Sequence, residues 1–170
     1  MRRWDEAISR PLHSLRGGPW DYALALPGVM FGSYGMPGTV LALGLWLGAG
    51  FAVLVVAGAL ATVAVTGPLK VLLNRPRPEP LLERRVRLRS LVSNPAFPSG
   101  DSAQAAMVTT LLVLEGPFDD GRRWLFAPLV PLCMFSRVYY AAHWVGDTVA
   151  GAAIGIGVGV LYAHWLGALA

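Results

Sequence analysis

Two long stretches of this chain carry no Asp, Glu, Lys or Arg: residues 22–69 and residues 148–170. The hydrocarbon core of a bilayer is about 30 Å thick, and a helix needs about 20 apolar residues to cross it. In lipid each backbone N–H and C=O must find its partner inside the protein, so continuous apolar runs of this kind cross as helices. The first stretch is long enough for two crossings and too short for three. Charged residues make up 14% of the 170 residues and apolar ones 55%, where soluble domains carry about a quarter charged. The sequence therefore predicts an all-α integral membrane protein, and one domain.

Residues 1–20 mix Trp4, Ile8, Leu12 and Leu15 with charge and read as a helix lying on the membrane surface. Spans one and two fall within 22–73. The first is expected over Tyr22–Leu47, kinked at Pro27 and Pro37, and the second over about Phe51–Leu73, with the break in "GLWLGAGF", 44–51. Residues 74–100 hold six arginines and five prolines and cannot sit in lipid. Spans three to five occupy 101–170: one from Asp101 to the polar turn at 115–123, one from about Trp124 to Tyr140, and one from Thr148 onward. About five transmembrane helices plus the surface helix result. The glycine-rich "GAAIGIGVG" of the last span permits close helix packing. Cys133 is the single cysteine and forms no internal disulfide. A cleavable signal peptide is not expected, because no apolar segment follows the basic N-terminus at the usual distance.

Three polar clusters interrupt the oily runs, and by parity of crossings the first and third face the same side. In "KVLLNRPRP", Lys70 and Arg77 share a helix face two turns apart; cations snorkelling at a helix end would look alike. In "FPSGDSAQA", a turn running into a helix leaves backbone N–H groups free at the positive end of the helix dipole, an anion cradle. Alternatively Asp101 caps that helix in a box with Gln104. In "SRVYYAAHWVGDT", His143 and Asp147 are four apart, so the carboxylate can accept from one ring nitrogen and leave the other basic, with Arg137 near. Asp147 as a helix cap and His143 as a polar rim residue is the plainer reading of that pair. Together, cations, an amide cradle and an oriented imidazole are the parts for phosphoryl transfer to histidine. No His, Cys or carboxylate cluster has metal-ligand spacing, so neither a metal nor another cofactor is expected.

In order and spacing these clusters resemble the motifs KxxxxxxRP, PSGH and SRxxxxxHxxxD of the type 2 phosphatidic acid phosphatase (PAP2) superfamily of lipid phosphatases. Here they run from Lys70 to Pro78, from Pro98 to Asp101, and from Ser136 to Asp147. The resemblance implies His143 as a nucleophile forming a phosphohistidine, oriented by Asp147. It implies a phosphate held by Lys70, Arg77, Arg137 and the backbone of Ser99 and Gly100. It also implies a multi-pass protein of the cell membrane, a site on the extracytoplasmic face, and lipid phosphate or diphosphate substrates. Nucleic acid is not expected as a partner, and oligomeric state is not readable.

The second motif departs from the family: Asp101 stands where histidine protonates the leaving group. An unperturbed aspartate, with a pKa of about 4, is ionised at neutral pH. The site holds Asp101 protonated as the acid, or the leaving group needs little help, or the enzyme is slow or inactive; the first two are favoured. A phosphate leaving from a diphosphate needs little, so a polyprenyl diphosphate such as undecaprenyl diphosphate is the favoured substrate. Phosphatidate or phosphatidylglycerophosphate hydrolysis, lipid phosphotransfer, and a non-catalytic phospholipid-binding protein are the alternatives. Counting Lys and Arg near the spans points the other way on orientation, to the cytoplasm, but those cations are accounted for by phosphate binding. "RRVRLR", 84–89, reads as a strip among anionic head groups. His13 and His164 carry no chemistry, and Trp20, Trp124, Trp144 and Trp165 sit near span ends as interfacial anchors.

Overall fold

The computed structural model describes residues 2–15, 18–82 and 95–167, and among them every regular element is helical. Seven α-helices follow in order: α1 (Arg2–His13), α2 (Asp21–Met30), α3 (Met36–Leu47), α4 (Ala49–Leu73), α5 (Gly100–Glu115), α6 (Leu129–Tyr139) and α7 (Val145–Gly167), with short 3-10 turns at Gly18–Trp20 and Arg122–Phe126. The strip at 84–89 lies outside the described residues.

Helices α4 and α7 are long and apolar enough to cross a membrane. Only 22% of the most apolar stretch of α4 is buried within the protein, which separates it from the core helix of a soluble domain. Its side chains point outward instead, Leu72 being 77% exposed, as does Leu45 of α3 at 81%. A soluble monomer does not expose apolar surface on this scale, so the outer surface fits lipid.

The break between the first two apolar helices falls at Gly48, inside the expected 44–51 window; its φ of 96° is one that residues with a Cβ avoid. The first expected span differs from its prediction. It is two helices, α2 and α3, separated by a turn at 31–35, rather than one helix kinked at its prolines. Pro27 lies inside α2, and Pro37 sits in the first turn of α3, where its missing N–H costs nothing. The fourth expected span is likewise a 3-10 turn followed by the shorter α6.

At the centre stands α5, whose Ala103, Ala105, Ala106, Met107, Val108, Leu111 and Leu112 are all buried. It lies against α7, and the glycine face of α7 makes this approach possible. A Cβ on Gly151 would sit 2.2 Å from the carbonyl oxygen of Ser99. Helix α2 is pinned to the end of α6 by Asp21, which accepts from the hydroxyl of Tyr139 at 2.7 Å through its carboxylate and from that of Tyr140 through its carbonyl. The N-termini of α5 and α7 and the C-termini of α4 and α6 meet at one end of the bundle.

Candidate active site

Helix α4 ends at Asn74, which takes the left-handed conformation (φ 36°) and returns its N–H to the Lys70 carbonyl at 3.0 Å. The prolines beyond it cannot continue the helix, so Arg75 and Arg77 are carried on extended backbone across the bundle end. Lys70 reaches over from the last turn of α4. Its ammonium donates to the carbonyls of Pro98 at 2.6 Å and Pro95 at 3.3 Å, tying α4 to the segment that leads into α5.

The cap of α5 is Ser99, not Asp101. The Ser99 hydroxyl accepts the N–H of Ser102 at 3.3 Å, and the helix starts at Gly100, one residue before the expected position. The Ser99 N–H is donated to the Asp147 carbonyl at 2.9 Å. Ser99 is therefore occupied in holding α5 against α7, and the expected backbone contact from it to phosphate is taken by structure. Gly100 and Asp101 line a cavity of about 830 Å³, and first-turn N–H groups such as theirs have no intrahelical acceptor. Gln104 is not part of a capping box: its amide nitrogen donates to the Ala59 carbonyl of α4 at 3.4 Å.

Helix α6 ends in a tight return. The Arg137 carbonyl accepts the N–H groups of Ala142 at 3.0 Å and His143 at 3.2 Å, with Ala141 at φ 50°. This return places Arg137 and His143 on the same cavity wall despite the six-residue offset between them.

His143 is buried, and its two nitrogens have different partners. A carbonyl oxygen can only accept, so the 2.8 Å contact between Nδ1 and the Ala96 oxygen puts the proton on Nδ1. The lone pair is then on Nε2, which lies 3.3 Å from Nη1 of Arg77; that same nitrogen of Arg77 donates to the Ala142 carbonyl at 2.7 Å. Burial holds the imidazole pKa well below its ordinary value of 6.5, with Arg137, Arg77 and Lys70 adding repulsion and the Ala96 hydrogen bond opposing them in part. The ring is therefore neutral at physiological pH.

Asp147 does not make the direct hydrogen bond expected of it. Its nearest oxygen is 3.7 Å from Nδ1, while its carboxylate accepts the N–H of Trp144 at 2.9 Å and Nη1 of Arg75 at 2.7 Å. Trp144, expected as an interfacial anchor, stands just before α7 and also ties down the segment that carries Arg75 and Arg77. Its indole N–H donates to the Pro76 carbonyl at 3.0 Å and its ring lies 5.7 Å from the Arg75 guanidinium.

Asp101 faces the cavity with its carboxylate 2.8 Å from Nη2 of Arg137. In that contact the Asp101 oxygen is an acceptor, so this geometry offers no support for Asp101 as the acid. The Nε of Arg137 is buried and, among the described residues, has no hydrogen-bond partner. Arg137 lines the cavity together with Lys70, Arg77 and the start of α5, a set of cations and amides that suits an anionic ligand.

The sequence model of the PAP2 superfamily matches residues 42–169. The chain belongs to the PAP2 superfamily. It is accordingly a phosphatase of PAP2 type, and the fold agrees. The crystal structure of Aquifex aeolicus LpxE superposes with a TM-score of 0.74 at 22% identity, covering 92% of each chain. That of a transmembrane PAP2 type phosphatidylglycerolphosphate phosphatase from Bacillus subtilis gives 0.76 at 23% identity, covering 98% of this chain and 86% of the other. No curated protein matches the chain in sequence.

Of the residues singled out from sequence, this PAP2 chain brings Lys70, Arg77, Gly100, Asp101, Arg137 and His143 to one cavity. Ser99 and Asp147 are buried just behind it. Two groups of the site have no counterpart in the sequence reading. Ala96 acts through its backbone, which no side-chain pattern can announce. Arg75 stands two residues before Arg77, and its charge beside a motif arginine was the available signal.

Proposed function

We propose that this PAP2 phosphatase is a multi-pass, metal-independent lipid phosphatase of the cell membrane that works through a phosphohistidine at His143. The observation that carries the reading is a neutral imidazole with its Nε2 lone pair beside Arg77, in a cavity whose wall also holds Lys70, Arg137 and the start of α5. Nε2 attacks phosphorus, and the bond to the leaving oxygen breaks with its electron pair departing on that oxygen. Water then attacks the phosphohistidine, the P–N pair returns to Nε2, and the water proton is released with phosphate. The cations and the first-turn N–H groups of α5 offset the charge that builds on the equatorial oxygens. Counting α2 with α3 as one interrupted crossing gives five spans, with α1 on the surface beside the site. The family resemblance supports an extracytoplasmic face.

The favoured substrate is a polyprenyl diphosphate such as undecaprenyl diphosphate. Asp101 is committed to Arg137, and a departing phosphate needs no proton, whereas an alkoxide does. The apolar half of the cavity, with Met36, Val63 and Val71, suits a hydrocarbon chain. Phosphatidylglycerophosphate hydrolysis is the second reading, supported by the activity named for the Bacillus subtilis neighbour. Phosphate release in detergent from farnesyl diphosphate, phosphatidate and phosphatidylglycerophosphate separates them, with His143→Ala as the blank. Faster release from the diphosphate is expected; preference for either monoester removes the diphosphate assignment. A His143→Ala variant as active as wild type removes the enzyme mechanism altogether.

A further inference from the structure

Helix α1 reaches the site through a carboxylate that none of the three motifs contains. Asp5 is 1% exposed, a costly place for a charge unless it is fully paired. One oxygen, Oδ2, accepts from Nη2 of Arg75 at 2.7 Å; the other, Oδ1, accepts the N–H of Gly146 at 2.9 Å and lies 3.4 Å from the Ser9 hydroxyl. The Ser9 hydroxyl in turn accepts the N–H of Val145 at 3.0 Å. Two first-turn amides of α7 are thus satisfied from α1, and Gly146 has no room for a side chain, since a Cβ there would lie 2.8 Å from Asp5.

Arg75 is the residue through which this docking bears on chemistry. Its guanidinium is divided between two carboxylates, Nη2 to Asp5 and Nη1 to Asp147, both at 2.7 Å. Its carbonyl accepts the N–H of Ala96 at 2.7 Å, and the Ala96 carbonyl accepts Nδ1–H of His143. Arg75 therefore fixes both neighbours of the imidazole, Asp147 by side chain and Ala96 by main chain. Asp147 alone leaves the second arm of the guanidinium unheld.

We propose that Asp5 is a positioning residue for the phosphatase reaction: by anchoring Arg75 it sets the places of Asp147 and Ala96, and so the aim of His143. The inference rests on His143 as the nucleophile. It assigns to the N-terminal helix a part in catalysis that its surface character does not suggest.

The test compares Asp5→Asn with Ser9→Ala in the full chain, with farnesyl diphosphate and dioctanoyl phosphatidate as probes. Both variants weaken the tie between α1 and α7, but only the first removes the charge that pairs with Arg75. Asp5→Asn is expected to lower kcat about 10- to 100-fold with KM within about threefold of wild type, since misplacement on the order of 1 Å costs that much, and Asp5→Glu to restore part of it. Ser9→Ala is expected to lower thermal stability and keep kcat within about threefold, because the Arg75 contacts that control aim are untouched. Wild-type kcat in Asp5→Asn, or equal kcat losses in both variants, overturns the proposal. Should Asp5→Asn yield no folded protein, Asp5→Glu decides: lowered kcat at unchanged KM in folded enzyme supports it, and wild-type kcat refutes it. A His143→Ala variant that keeps its activity defeats the nucleophile assignment instead, whereas a dead His143→Ala beside a fully active Asp5→Asn defeats only the role of Asp5.

Discussion

The Nδ1 of His143 donates to the Ala96 carbonyl at 2.8 Å, and this backbone contact sets the tautomer. Asp147, at 3.7 Å from the same nitrogen, is left an electrostatic role in the proposed mechanism: there it faces the positive charge that the ring would acquire on attacking phosphorus. At about 4 Å and an effective dielectric of about 20, such a pair is worth about 4 kcal/mol before Arg75 offsets part of it. Asp147→Asn should therefore lower kcat about 100-fold, roughly 2.7 kcal/mol, and leave the proton on Nδ1. Imidazole 15N shifts give the tautomer; a switch to the Nε2–H form would return the orienting role to Asp147.

The neutral state of His143 has a pH consequence. Its folded pKa lies well below 6.5 because burial and three cations disfavour the charged ring, while the unfolded chain titrates at about 6.5. Between these two values the unfolded state binds more protons, so stability rises with pH there, is flat above about 6.5 and falls on acidification. The His143 ring resonance should titrate with a midpoint below 6.5, and melting in detergent should weaken as pH drops through that range. A midpoint at or above 6.5 contradicts the site electrostatics.

Asp101 lies 2.8 Å from Arg137, and in the proposed mechanism it shares that arginine with the substrate phosphate. Asp101→His introduces an acid, and general acid catalysis is worth about 10²–10⁴-fold where the leaving group needs it. The variant should raise kcat/KM for phosphatidate by at least about 10-fold while that for farnesyl diphosphate changes little. Equal effects on both substrates would count against leaving-group chemistry as the reason for Asp101.

The glycine face of α7 is not uniform. Gly151→Ala would drive a Cβ to 2.2 Å from the Ser99 oxygen and push apart the helix ends that frame the site, whereas a Cβ on Gly157 meets nothing within 4 Å. Overpacking of this kind costs about 1–3 kcal/mol, and Gly157→Ala should be neutral or stabilising by up to about 1 kcal/mol. Thermal melts of the two variants in detergent check the contrast; equal melting temperatures would contradict the packing.

What the sequence made legible follows from what is local. Charge-free runs located α4 and α7 because hydrocarbon forbids unpaired charge, and motif spacing located the cavity cations because α4 and the α6 return are short-range structures. The turn at 31–35 contains no proline to mark it: Pro27 lies inside α2 and Pro37 in the first turn of α3. Ser99 is masked as a cap because Asp101 and Gln104 have the spacing of a capping box. Asp5 and Arg75 are 70 residues apart and meet only through the fold, so nothing near either one announces the pair.

The central claim is the phosphorus–nitrogen bond at His143, and rapid quenching of the enzyme during turnover of farnesyl diphosphate, followed by peptide mass spectrometry at alkaline pH, tests it most directly. Phosphate is expected on the peptide bearing His143, and none in His143→Ala. Full turnover with an unmodified His143 peptide, or phosphate carried on another residue, would contradict it.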